Sequence, residues 1–138
     1  MIDNFNNFKK VYFAGIGGIG ISAVARLMIT EGKEVWGSDM AASTVTGELE
    51  KIGVKFQTGQ NVDQIPRDTD LIIYSIALDE LDPTFMVAMK EKFPNHMSYP
   101  ESLAVISKNK KTIAVTGTHG KTTTTSMIAT AMKDLGFD

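Results

Sequence analysis

Six residues near the amino terminus combine four glycines at a spacing suited to binding a diphosphate. They are Gly15, Ile16, Gly17, Gly18, Ile19 and Gly20, which fit the pattern G-x-G-x-x-G. Such glycines permit a tight turn and bring backbone N–H groups close to a diphosphate, and a following helix amino terminus adds partial positive charge. Asp39 stands about 20 positions later, where an acidic residue ordinarily bonds a ribose hydroxyl. The loop predicts a nucleotide site, whose ligand is a dinucleotide or a UDP-sugar.

A second candidate phosphate loop lies near the other end of the chain. It consists of Thr116, Gly117, Thr118, His119, Gly120, Lys121 and Thr122. Its end matches G-x-x-x-x-G-K-[ST], although Val115 stands where that pattern has its first glycine. In such a loop the backbone N–H groups cradle phosphates, Lys121 reaches the β and γ phosphates, and the Thr122 hydroxyl is a ligand to Mg²⁺.

Each loop needs a buried strand before it and a helix after it, and the hydrophobic pattern supplies both. Apolar runs predict strands at 11–14, 34–38, 54–56, 71–75 and 97–99. A further strand is predicted at 112–115 and a helix at about 121–135, on either side of the second loop. Strands that alternate with helices predict an α/β fold: a Rossmann-like parallel sheet flanked by helices, plus the first strand–P-loop–helix of a second domain. The polar, basic segment 107–111 predicts a boundary between domains at 1–107 and 108–138.

Composition excludes several classes of protein. The chain has 138 residues, 43% apolar and 22% charged, which excludes disordered, collagen-like and coiled-coil proteins. A net charge of −2 gives no general electrostatic footprint for nucleic acid. Without cysteine there is no disulfide framework and no thiolate metal site, which fits a reducing compartment. Glycines and Arg26 interrupt the apolar stretch 11–25, so no membrane span is predicted.

The two loops together resemble the Mur ligases of peptidoglycan synthesis. The resemblance covers almost the whole chain, from about residue 10 to residue 138, and the second loop with its threonine run is its most specific element. It is carried by the glycine loop 15–20, by Gly37-Ser38-Asp39, by the stretch 116–125, and by Ser75-Ile76-Ala77 followed by Asp82-Pro83. In that last segment Tyr74 and Asp82 replace a serine and an asparagine of the family pattern.

The resemblance implies a bacterial, cytoplasmic, ATP-dependent ligase with Mg²⁺ that joins L-alanine to UDP-N-acetylmuramate through an acyl phosphate. Residues 1–107 would be the domain that binds the UDP part of the substrate. Residues 108–138 would begin the central ATP-binding domain, so this piece alone is expected to be inactive. No membrane or nucleic acid is expected among its partners.

The resemblance also assigns site residues. Those implied to bind the UDP part of the substrate are Gly15, Ile16, Gly17, Gly18, Ile19, Gly20, Ser38, Asp39, Ser75, Ile76 and Ala77. Those implied to bind ATP are Gly117, Thr118, His119, Gly120, Lys121, Thr122 and Thr123. Lys121 would be catalytic by offsetting γ-phosphate charge, and Thr122 would bind Mg²⁺. Gln60 stands where the family often has a histidine that helps to hold the nucleotide.

Three alternatives remain open on the sequence. The acid after the first loop also suits a nicotinamide-binding Rossmann module, which leaves the second loop unexplained. Another Mur ligase, of the type that recycles muropeptides, has similar loops. A stand-alone module that binds a UDP-sugar is the third.

Overall fold

The computed structural model describes residues 2–108 and 110–137, which form two compact units. Unit 1 ends at Lys108, and unit 2 comprises the residues that follow. The division falls inside the basic segment 107–111.

Unit 1 is built on a five-stranded parallel sheet, which confirms the predicted Rossmann-like architecture. Its strands are β1 (Lys10–Ala14), β2 (Glu34–Asp39), β3 (Lys55–Thr58), β4 (Leu71–Tyr74) and β5 (His96–Ser98). They stand in the order β3-β2-β1-β4-β5, and every neighbouring pair is parallel. The chain therefore builds outward from β1 on one side and returns to pair β4 with β1 on the other. This reversal places a crevice at the carboxyl ends of β1 and β4.

The helices are α1 (Ile19–Thr30), α2 (Thr44–Lys51), α3 (Leu78–Leu81), α4 (Pro83–Lys92), α5 (Tyr99–Ser107) and α6 (Lys121–Asp134), with a 3-10 turn at Val62–Gln64. The hydrophobic pattern predicts α1 and α6, the helices that follow the two loops, whereas α3 and the 3-10 turn are too short to show a helical period. Within the described residues, no helix is long and apolar enough to cross a membrane.

The sheet is buried on both faces. Val11 and Phe13 of β1 pack with side chains of α1, α2 and α5, whereas Tyr12 and Ala14 pack with side chains of α4. All four are fully buried. This explains why the central strands read as continuous apolar runs, without the alternation of a half-exposed strand.

Unit 2 contains the predicted helix but not the predicted strand. Residues 112–115 have no regular secondary structure, and nothing in the described part of the chain pairs with them. An apolar run becomes a strand only when a neighbour takes up its N–H and C=O groups, so this prediction is wrong for the described chain. Helix α6 forms as predicted and has no buried residues.

Candidate functional site

The loop between β1 and α1 is anchored to the end of β2. The N–H groups of Gly15 and Ile16 both donate to the Ser38 carbonyl oxygen, at 2.8 and 3.0 Å. The Ile16 side chain is fully buried over Gly37, where a Cβ would lie 2.6 Å from Ile16 Cδ1 and 2.9 Å from the Phe13 carbonyl oxygen. A glycine in β2 therefore makes room for the loop.

The next two loop amides are also bonded within the protein. The Gly17 N–H donates to Asp39 Oδ2 at 2.8 Å, and the Gly18 N–H donates to the Gly15 carbonyl oxygen at 3.4 Å. The other Asp39 oxygen, Oδ1, accepts the Met40 N–H at 2.7 Å. The N–H groups of residues 15–18 thus all have acceptors in the chain itself.

The first turn of α1 is different. The N–H groups of Ile19, Gly20 and Ile21 donate to no other residue in the described ranges. Gly18, at the N-cap, offers no side chain, and the first turn of α1 carries no acidic residue. By contrast, α2, α4 and α5 begin with side-chain caps, from Ser43, Asp82 and Ser98. The start of α1 therefore combines unsatisfied donors with partial positive charge, which is the chemistry of an anion site.

A cleft of about 450 Å³ lies beside this loop. Its lining comprises Gly15, Gly17, Gly18, Asp39, Met40, Ala41, Ala42, Ser43, Gln60, Ser75, Ala77, Leu78 and Leu81. The glycine loop, the end of β2 and the segment after β4 meet here, because parallel strands bring their carboxyl ends to one edge of the sheet. The sequence pattern did not single out 40–43, Leu78 or Leu81, which carry no motif.

Not all of the residues that the sequence singled out line this cleft. Ile16 and Ser38 are fully buried beneath it, and they support the loop with a side chain and a carbonyl oxygen. Ile19 and Gly20 belong to the first turn of α1. Ile76, between Ser75 and Ala77, is 57% exposed and lies outside the lining.

Ser38 also connects the cleft to Gln60. The Ser38 hydroxyl donates to Gln60 Oε1 at 2.7 Å, which turns the Gln60 amide nitrogen away from Ser38. Gln60 Nε2 is buried and has no partner among the described residues. Gln60 and Asp39 both line the cleft, and Gln60 stands at the place where the resemblance expects a histidine.

The last glycine of the loop serves helix packing. A Cβ on Gly20 would lie 2.6 Å from Tyr99 Cζ, so the Tyr99 ring of α5 packs directly against the α1 backbone at a residue that has no side chain. The sequence pattern did not single out Tyr99, whose role depends on this contact between distant segments.

In unit 2, the second loop has a curled backbone. Gly117 and Gly120 adopt positive φ values of 147° and 77°, which other residues rarely do. Lys121 Nζ donates to the Gly117 carbonyl oxygen at 2.6 Å, across the loop. Gly120 is the N-cap of α6. Like Gly18 at the start of α1, it provides no side-chain cap. The ammonium group, the glycines and the uncapped helix fit the polyphosphate of a nucleotide.

A metal site would need side chains in the described part of the chain that could together bind an ion. Among these residues, no group of three or more histidines and carboxylates is arranged to hold a metal ion.

Comparison with known proteins gives matches to a known family. The model of the Mur ligase family, catalytic domain, matches residues 10–111. Proteins named UDP-N-acetylmuramate–L-alanine ligase are similar to this chain: one from Campylobacter jejuni is 44% identical over 91% of the chain, and one from Acetivibrio thermocellus is 39% identical over 96%. The chain spans 29% and 28% of the lengths of these two relatives.

Solved structures show the same relationship. UDP-N-acetylmuramate–alanine ligase MurC from Thermotoga maritima has a TM-score of 0.79 and 35% identity, and the match covers 91% of this chain and 29% of that one. A murein peptide ligase from Psychrobacter arcticus also has a TM-score of 0.79, with 27% identity over 93% of this chain and 27% of its own. A family match over most of the chain, the shared sheet and the glycine loop at its carboxyl edge lead to one conclusion: the chain belongs to the Mur ligase family.

Proposed function

We propose that this chain supplies the UDP-substrate-binding domain (1–107) and the opening of the ATP-binding domain (108–138) of a cytoplasmic ligase that joins L-alanine to UDP-N-acetylmuramate. The names of its relatives support this substrate. In the proposed reaction, ATP transfers its γ-phosphoryl group to the muramoyl carboxylate, giving an acyl phosphate and ADP. The L-alanine amine then attacks the acyl carbon, so that an amide forms and phosphate leaves.

The observation that carries the proposal is the uncapped start of α1 at the crevice of the sheet. A diphosphate held there would accept hydrogen bonds from the Ile19, Gly20 and Ile21 N–H groups, which have no acceptor among the described residues. The loop 15–18 would serve as the scaffold, because its own amides are already bonded. Ser38 and Asp39 would lie near the uridine, and 75–77 would border the same pocket.

The second loop fits ATP by the same reasoning. Residues 117–123 would surround the phosphates, and Lys121, already directed across the loop, would offset charge on the γ-phosphate. The Thr122 hydroxyl would hold Mg²⁺. When bound, that ion neutralises phosphate charge during transfer.

The first experiment separates the proposed substrate from a nicotinamide cofactor. Calorimetric titrations of the 138-residue chain with UDP-N-acetylmuramate, UDP and NADH are run side by side. We expect heat of binding with the two uridine nucleotides and none with NADH. Binding of NADH alone, or no binding of UDP-N-acetylmuramate at millimolar concentration, would contradict the proposal.

The second experiment concerns catalysis. Unit 2 presents the phosphate loop with α6 and without a paired strand in its described residues, so we expect this chain alone to bind substrate and not to ligate. ADP release is measured with ATP, Mg²⁺, L-alanine and UDP-N-acetylmuramate. ADP release that depends on both L-alanine and UDP-N-acetylmuramate would overturn that expectation.

A muropeptide-recycling ligase is the second candidate, because the murein peptide ligase of Psychrobacter arcticus matches the fold equally well. A full-length ligase that carries this sequence distinguishes the two. We expect L-alanine to support ADP release, whereas a preformed muropeptide should not. The opposite preference would assign the chain to the recycling type.

A further inference from the structure

Asp39 makes two contacts that bear on its role in the proposed site. Its carboxylate accepts the Gly17 N–H at 2.8 Å through one oxygen and the Met40 N–H at 2.7 Å through the other. The fit to Gly17 is close, since a Cβ there would lie 2.9 Å from Asp39 Oδ2. The carboxylate therefore rests directly on the glycine loop.

This contact completes a continuous set of bonds between β2 and the loop. The Ser38 carbonyl oxygen holds the amides of Gly15 and Ile16, and the Asp39 side chain holds the next amide, that of Gly17. Three successive loop amides are thus fixed by two successive residues of β2. The next residue, Gly18, lines the cleft and is the N-cap of α1, so the position of Gly17 fixes where the first turn of α1 begins at the edge of the cleft.

An acid at the end of β2 in a Rossmann-like fold ordinarily bonds a ribose hydroxyl. We propose instead that Asp39 is a positioning residue, which holds the glycine loop so that the first-turn N–H groups of α1 face the diphosphate. This inference rests on the proposed function for the identity of the ligand. The contact on which it depends belongs to the chain itself.

The first test needs no ligand. Amide hydrogen exchange at Gly17 is followed by NMR in the wild-type chain, Asp39→Ala and Asp39→Asn, with the β4 amides as internal controls. We expect Asp39→Ala to accelerate Gly17 exchange about tenfold, with β4 amides unchanged, and Asp39→Asn to give a smaller effect because its amide oxygen still accepts. Unchanged exchange at Gly17 in Asp39→Ala would overturn the proposal.

The second test separates positioning from ribose binding. Affinities for UDP and 2′,3′-dideoxy-UDP are measured in wild type and Asp39→Ala. A residue that acts through the loop weakens both ligands by the same factor, about tenfold, whereas Asp39→Asn recovers much of that loss. If the difference between the two ligands disappears in Asp39→Ala, Asp39 binds the ribose and the proposal fails.

A third variant disturbs the contact from the other side. Gly17→Ala places a methyl group against the carboxylate, so we expect it to weaken UDP binding as Asp39→Ala does. The double variant should bind no more weakly than Asp39→Ala alone, because both changes break one contact. Losses that add would overturn the proposal, provided that circular dichroism shows all variants folded.

These tests also separate the two proposals. If Gly17 is protected by Asp39 but UDP does not bind, the positioning role is supported and the proposed function fails. If UDP binds but Gly17 exchanges at the same rate in wild type and Asp39→Ala, the positioning role alone fails.

Discussion

At the scale of single residues, Gly37 and Gly47 differ in the space that surrounds them, although neither has a positive φ. A Cβ on Gly37 would meet Ile16 Cδ1 at 2.6 Å, whereas a Cβ on Gly47, within α2, would meet nothing within 4 Å. The first glycine admits the phosphate loop to the surface of the sheet. The second has no such neighbour and lowers helix propensity.

Alanine substitutions should therefore have opposite effects on stability. We expect Gly37→Ala to lower the free energy of unfolding by about 1–3 kcal/mol through overpacking. The matched change Gly47→Ala should raise it by about 0.5–1 kcal/mol, because alanine favours the helix. Urea denaturation measures both, and equal effects would contradict the packing described for Ile16.

The Glu34 carboxylate makes the stability of the fold depend on pH. A hydrogen bond from Lys55 at 2.7 Å and another from Trp36 Nε1 at 2.8 Å lower its pKa to about 2. The folded state favours the charged carboxylate. Its contribution to the free energy of unfolding is therefore fully present above the pKa of the unfolded chain, near 4.5, and is lost as the pH falls toward 2.

Urea denaturation of wild type and Glu34→Gln, measured from pH 7 to pH 2, tests this dependence. The difference in unfolding free energy should be constant above about pH 5 and should shrink steadily below about pH 4.5. The carboxylate is partly exposed, so the effect should also weaken in high salt. A difference that does not change with pH would show that Glu34 has no shifted pKa.

At the scale of secondary-structure elements, the amino terminus of α1 can be tested without altering the helix. Gly18 has φ −65° and ψ 143°, a conformation that a following proline permits. Proline is tolerated at the first position of a helix, which Ile19 occupies, and the Ile19 side chain is 89% exposed. Ile19→Pro therefore removes one N–H donor with little change in packing.

We expect Ile19→Pro to weaken UDP-N-acetylmuramate binding about tenfold, since a charge-assisted hydrogen bond is lost. The control Ile19→Ala keeps the N–H group and should bind as wild type does. Calorimetry gives both affinities, and thermal unfolding checks that both variants fold. Equal affinity in the two variants would place the diphosphate elsewhere.

Element boundaries also show what local sequence can predict. The run 71–75 predicts a buried strand correctly because Leu71 to Tyr74 lie between two helical layers. The similar run 112–115 forms no strand, since strand formation depends on a neighbour that local pattern does not reveal. Likewise, α3 has only four residues, too few for a periodic signal.

At the scale of the whole molecule, the strand order decides where the site lies. The glycine pattern predicts a phosphate loop, and the reversal between β1 and β4 brings Asp39 and Ser75 to the same cleft. Spacing could not show that the amides of 15–18 are bonded internally, because their acceptors belong to β2 and to the loop itself. The pattern therefore identifies the loop, and only the folded chain identifies the amides that remain available.

The location of the ligand can be read from amide chemical shifts. UDP-N-acetylmuramate is titrated into the ¹⁵N-labelled chain, and each backbone amide is followed by NMR. The largest shifts should occur at Ile19, Gly20 and Ile21, with smaller ones along the cleft at Asp39 and Ser75. Shifts confined to the separate cavity around His96 and Val105, or none at millimolar ligand, would contradict a diphosphate site at the start of α1.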